Sequence, residues 1–151
     1  MFSSEGALTN LRRLNPEWNE ARYINGVLKL EKERHKLLEP LLPKRGGLLF
    51  ALHNNSEGYS VREEVAISDR TALNEPDRPH EFFLCTDPAD FEVLAKSRYN
   101  VVLQNRTAPP DDGSLSRLCA KLGVRYVNLE VALGDAARQR EMLEWADSRL
   151  R

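Results

Sequence analysis

Leu48-Leu49-Phe50-Ala51-Leu52-His53-Asn54-Asn55 decides how this chain is read. Its apolar run predicts a buried strand, Leu48 to His53, which delivers a histidine into a polar, glycine-containing loop, Asn54 to Tyr59. A buried strand fixes its last side chain, while the loop beyond stays open to solvent. Metal ligands and general bases are commonly mounted in this way on α/β sheets. A lone histidine at a strand end is more often structural. The catalytic reading gains weight from a second apolar stretch, Val124 to Val131, which carries a single carboxylate, Glu130.

Outward from that strand the pattern alternates. Glu81 to Thr86 and Tyr99 to Asn105 read as further strands. Asp87-Pro88 supplies an N-cap and a first-position proline for a helix running to about Ser97. Ser114 to Leu122 reads as a helix stopped by Gly123, and Asp135 caps a terminal helix holding Met142, Leu143, Ala146 and Leu150. Before the first strand, Ser3 or Ser4 caps a helix through Leu14, and Asn15-Pro16 predicts the start of a second helix toward Pro40. His35 lies on the charged, solvated side of that helix. Asn54 to Pro79 is a long polar connection with one short predicted strand, Val61 to Ile67, and Thr107 to Gly113 is a rigid turn. Connections of that length in small domains are often lids or binding loops. The order predicts an α/β fold with a partly parallel, mixed central sheet flanked by helices. One domain over residues 1–151 is expected, a helical segment at 1–43 and an alternating core at 44–151.

Composition excludes several classes of function. The 151 residues are 41% hydrophobic, enough for one core, and the net charge of −1 favours neither nucleic acid nor an anionic membrane as partner. No run approaches a membrane span, and Met1 to Glu5 lacks a signal-peptide profile. Cys85 and Cys119 read as reduced core residues of a cytoplasmic protein. Cys119 and Arg125 have the spacing of a phosphatase phosphate loop, but that loop joins a strand to a helix, and here a helix precedes a strand. Gly58-Tyr59-Ser60 lacks the second glycine of a nucleophile elbow, and Gly46-Gly47 precedes a strand.

His53 and Glu130 remain, each on a predicted central strand. An imidazole that can bind a metal and a carboxylate that can take a proton from water suit metal-assisted hydrolysis. A catalytic zinc needs about three protein ligands, and His80, at a strand start, is the only further candidate.

In this order and setting the C-terminal two-thirds of the chain resembles the second half of a zinc-carboxypeptidase-like hydrolase, with its amidase and deacylase relatives. The resemblance implies a mixed-sheet α/β fold with one catalytic zinc. It also implies a histidine ligand ending a buried strand, matched by Leu52-His53-Asn54-Asn55, and a general-base glutamate on a late strand, matched by Tyr126-Val127-Asn128-Leu129-Glu130 with Gly134 following. The family's early His-x-x-Glu, which gives the first two ligands, is nowhere in the 151 residues. Met1-Phe2-Ser3 resembles the end of the family's substrate-positioning turn without its Asn-Arg pair. The expectation is therefore a chain that begins inside a longer domain, with an incomplete zinc ligand set.

Asn54, Asn55 and Tyr59 are candidates to orient a substrate, with turn formation and loop packing as the plainer alternatives. Arg106 is a candidate to hold a substrate carboxylate, and Asn128 shares a strand face with Glu130. Asp111 and Asp112 are explained more simply by helix capping than by metal binding. Two functions follow. One is a zinc-dependent hydrolase of amide bonds in small peptides, acyl-amino acids or cell-wall peptides. The other is a catalytically inactive α/β binding or assembly module. A missing half-sheet would leave apolar surface, so a homodimer is expected.

Overall fold

Alternation along the last strand sorts the molecule into two faces. That strand, Arg125–Ala132, directs Val127, Leu129 and Val131 to one side and Tyr126, Asn128 and Glu130 to the other. A computed structural model describes residues 2–56, 58–106 and 113–151. Five strands form one mixed sheet: β1 Leu48–Asn55, β2 Arg70–Ala72, β3 Phe82–Cys85, β4 Asn100–Leu103 and β5 Arg125–Ala132, in spatial order β1-β5-β3-β4-β2. β1 runs parallel to β5 and β3 parallel to β4, whereas the β3–β5 and β2–β4 pairs are antiparallel. The expected α/β fold with a partly parallel sheet is the one observed.

Six helices are present among the described residues: α1 Ser4–Leu14 and α2 Glu20–Leu38, which pack on each other, and α3 Val61–Val65, α4 Pro88–Leu94, α5 Leu115–Leu122 and α6 Ala136–Leu150, which lie against the sheet. α4 and α6 cover the Val127 face, where Phe91, Leu94, Met142 and Ala146 close a core with Phe83 and Leu129. On the other face α3 and α5 bring Val61 and Cys119 against Phe82, Leu84 and Tyr126. Cys85 and Cys119 are free and buried, one in each core, and burial raises both thiols, Cys119 to about 11. The caps at Asp87 and Asp135 form, and Gly123 ends α5 at φ 66°, a left-handed position where glycine is unstrained.

Three local expectations need correction. The second helix starts at Glu20 under an Asn19 cap, because Asn15 is occupied in closing α1. Its amide donates to Leu11 O and its own carbonyl accepts from Tyr23 Oη at 2.7 Å. Val61 to Ile67 is not a strand. Ser60 caps the helix α3 there, with its hydroxyl and backbone N–H both donating to Glu63, a capping box that outweighs the local β propensity. The edge strand β2 follows it, unforeseen. β1 runs two residues beyond His53, because its parallel ladder with β5 continues to Asn55 opposite Ala132. The turn expected at 107–113 lies, but for Gly113, outside the described residues.

One buried cation ties the closed face together. The Arg138 guanidinium donates to Glu81 at 2.5 Å, Glu75 at 2.7 Å and Glu141 at 3.2 Å, and lies 4.7 Å above the Tyr99 ring. Asn100 donates to three carbonyls of the same 75–81 segment, so α6 and β4 pin the connection into β3.

Candidate functional site

Parallel register sets His53 of β1 opposite Glu130 of β5. His53 Nδ1 lies 3.2 Å from Glu130 Oε1. The carboxylate is only 4% exposed and takes two further donors, Asn128 Nδ2 on Oε1 at 3.0 Å and Asn55 Nδ2 on Oε2 at 3.2 Å. Asn55 Nδ2 also donates to His80 O at 2.9 Å, which ties the end of β1 to the start of β3. Both amides turn their nitrogen to Glu130, so each Oδ1 points elsewhere, and neither has a hydrogen-bond partner among the described residues. A buried acceptor left unsatisfied costs about 1–3 kcal/mol. Such atoms in a folded protein call for an explanation.

His53 differs from its partner in exposure, with 53% of its side chain open to solvent. Its pKa is raised, first by the hydrogen bond to Glu130, against the opposing effect of burial. An ionised Glu130 accepts, so the neutral imidazole keeps its proton on Nδ1 and leaves a lone pair on Nε2.

A second polar cluster faces the first. Glu64 of α3 accepts from Tyr59 Oη at 2.7 Å and from Gln104 Nε2 at 2.5 Å, and Ser116 Oγ of α5 donates to Gln104 Oε1 at 3.3 Å. The Tyr59 ring packs on Phe82 with centroids 5.9 Å apart. Burial, then the bond to Glu64, pushes its phenol far above the ordinary range. Both clusters line a cavity of about 420 Å³, and a second cavity of about 450 Å³ meets it at His53, Tyr59 and Glu130. No lysine or arginine is among the described residues lining either one.

The structure thus gathers His53, Glu130, Asn55, Asn128 and Tyr59 at one place, with Asn54 at the rim of the second cavity. Asn55 is a buried strand residue, not a turn former, and Tyr59 both packs its segment and lines the cavity. Arg106 is not brought there. Its side chain is 83% exposed and reaches Asp69 at 3.6 Å. His80 Nδ1 bonds to Tyr59 O at 2.8 Å and has a structural task. Asp111 and Asp112 lie outside the described residues. Glu64 and Gln104 escaped the sequence reading. Ser60-Val61-Arg62-Glu63 was the signal that would have turned Glu64 onto a helix.

The donor set can be set against the implied zinc. His53 and Glu130 are adjacent, but among the described residues no group of three His, Cys, Asp or Glu side chains could hold a metal ion. These residues alone do not make a zinc site, which needs about three protein ligands. Comparison with protein-family models, with curated proteins and with solved structures gives no match for this chain. No helix among the described residues is long and apolar enough to cross a membrane.

Proposed function

We propose that the His53–Glu130 face is the working site of a hydrolase acting on amide bonds of small peptides, acyl-amino acids or cell-wall peptides. The observation that carries this reading is the pair itself: a half-exposed imidazole whose Nδ1 is held by a buried carboxylate with two further donors, at the junction of two cavities. Glu130 fixes the ring and its tautomer and stabilises the imidazolium. His53 Nε2 takes the proton from the attacking water and returns it to the leaving nitrogen. This moves the proton-accepting role from Glu130, where the family resemblance puts it, to the more accessible histidine. The zinc implied by the resemblance takes no part in this reading: the Nε2 lone pair of His53 that would ligate it serves as the base, and the described residues offer no group of three ligands.

Assay of purified protein on a panel of acyl-amino acids and short peptides tests the proposal. His53→Ala should lower kcat/KM by about 100-fold or more, and Glu130→Gln by about 10-fold to 100-fold, as expected for loss of a general base and of its orienting charge. If both variants, shown to be folded, retain turnover of every cleaved substrate, the assignment is wrong.

The alternative, a catalytically inactive assembly module, is favoured by one feature. β1 is an edge strand with Leu52 47% exposed, and beside it an apolar cavity of about 220 Å³ opens between Leu41, Leu42, Leu49 and Phe50. Edges of this kind invite strand pairing or a second copy. Sedimentation should then show a concentration-dependent dimer that Leu52→Lys disrupts. A monomer at about 0.5 mM would sink that reading, since a weak, millimolar contact could hardly serve assembly.

A further inference from the structure

We propose that the cavity between Glu64 and Glu130 recognises a primary ammonium group on its ligand. The inference rests on the His53–Glu130 face being the working site, and it names the chemistry that the site selects. Among the described residues Glu64 keeps about two open acceptor positions: its oxygens take one bond each from the neutral donors Tyr59 and Gln104, and a carboxylate accepts about four. No lysine or arginine is among the described residues that line the cavity beside it.

The second observation is independent of charge. Asn128 lines the same cavity, is 5% exposed, and carries a buried Oδ1 with no hydrogen-bond partner. Its orientation is fixed by the bond from Nδ2 to Glu130, so a flip cannot satisfy it. What this amide lacks is a donor. An ammonium brings three donors and a positive charge, matching an open carboxylate on one wall and, on the wall facing it, an amide whose carbonyl oxygen is unpartnered. A ligand carboxylate would instead meet two carboxylates, with only His53 of opposite sign. An apolar group would leave Glu64 and Asn128 desolvated and unpaired. The volume of about 420 Å³ suits a small molecule or a single side chain.

The test is equilibrium binding by NMR of three probes with one backbone and different ends: the N-acetyl, N-methylamide derivatives of lysine, norleucine and glutamate. The lysine probe should bind about 10-fold or more tighter than norleucine, the range of one charge-assisted hydrogen bond, and the glutamate probe should be weakest. It should shift the side-chain amide signals of Asn128 and Gln104. Glu64→Gln should bring lysine and norleucine within about twofold. Raising salt from about 20 to 500 mM should shrink the preference in the native chain, which serves should that variant not fold. Equal binding of lysine and norleucine, preference for glutamate, or no saturable lysine binding would each overturn the proposal. Turnover is read separately through His53 and Glu130. Loss of hydrolysis in those variants without any lysine preference would leave the hydrolase standing and remove the ammonium site.

Discussion

Leu129 and its neighbours Asn128 and Glu130 are adjacent on one strand, equally buried, and face opposite worlds. On the α4–α6 side, Val127, Leu129 and Val131 contribute carbon to a filled core, and the buried charges are answered, Asp90 by Arg125 and Arg138 by three carboxylates. On the α3–α5 side the sheet turns polar midway. There Glu130 and Asn128 sit under a hollow, and two amide oxygens have no hydrogen-bond partner among the described residues. The closed face satisfies its groups and so supports the fold. The open face leaves two amide oxygens without a partner among the described residues, and it is there that we propose the working site.

The contrast is open to attack first through Arg138. Removing the guanidinium in Arg138→Ala leaves Glu81, 7% exposed, with only the exposed Arg78 as a cationic partner, and releases the 75–81 connection. A loss of about 3–5 kcal/mol is expected from breaking such a buried pair. Urea unfolding measures it. A loss below about 1 kcal/mol would mean that the network is a surface decoration, of the order of exposed ion pairs.

Adjacent substitutions on β5 sharpen the comparison further. Leu129→Ala empties part of a filled core and should cost about 2–5 kcal/mol. Asn128→Ala removes one hydrogen bond to Glu130 but also removes an unsatisfied oxygen. Its cost should stay below about 1.5 kcal/mol despite equal burial. If the two losses were alike, the open face would be structural and the site reading would lose its basis.

Much of this division was legible in the sequence, because strand alternation and helix caps are local. The strand carrying His53, the strand carrying Glu130, the proline-opened α4 and the glycine stop of α5 all follow from side-chain periodicity and backbone preference. The pairing of His53 with Glu130 was foreseen only as two strand positions in one sheet. Their contact depends on β1 lying beside β5, a register between segments 77 residues apart that no local signal fixes. Glu64 was hidden for a different reason. Val61 and Val65 suggest a strand, and the capping box at Ser60 overrides them. Asn55 was misplaced because asparagine favours turns, while here the ladder to Ala132 holds it extended.

The smallest expected effect concerns the half-exposed member of the pair. The hydrogen bond that His53 donates to Glu130 raises its folded-state pKa above the ordinary 6.5. A raised pKa means that the folded state binds the proton more tightly than the unfolded chain does. The resulting stability is fully present below the unfolded pKa and is lost as pH rises through the folded value. With half of the imidazole in solvent, the contribution should stay below about 1 kcal/mol. Unfolding of the native chain and of His53→Ala, compared at intervals from about pH 5.5 to 9, isolates it, since other titrating groups cancel in the difference. The native advantage should shrink across that interval, and Glu130→Gln should flatten it. An advantage that held constant or grew with pH would place the proton elsewhere, and Glu130 could not then be the group that orients His53.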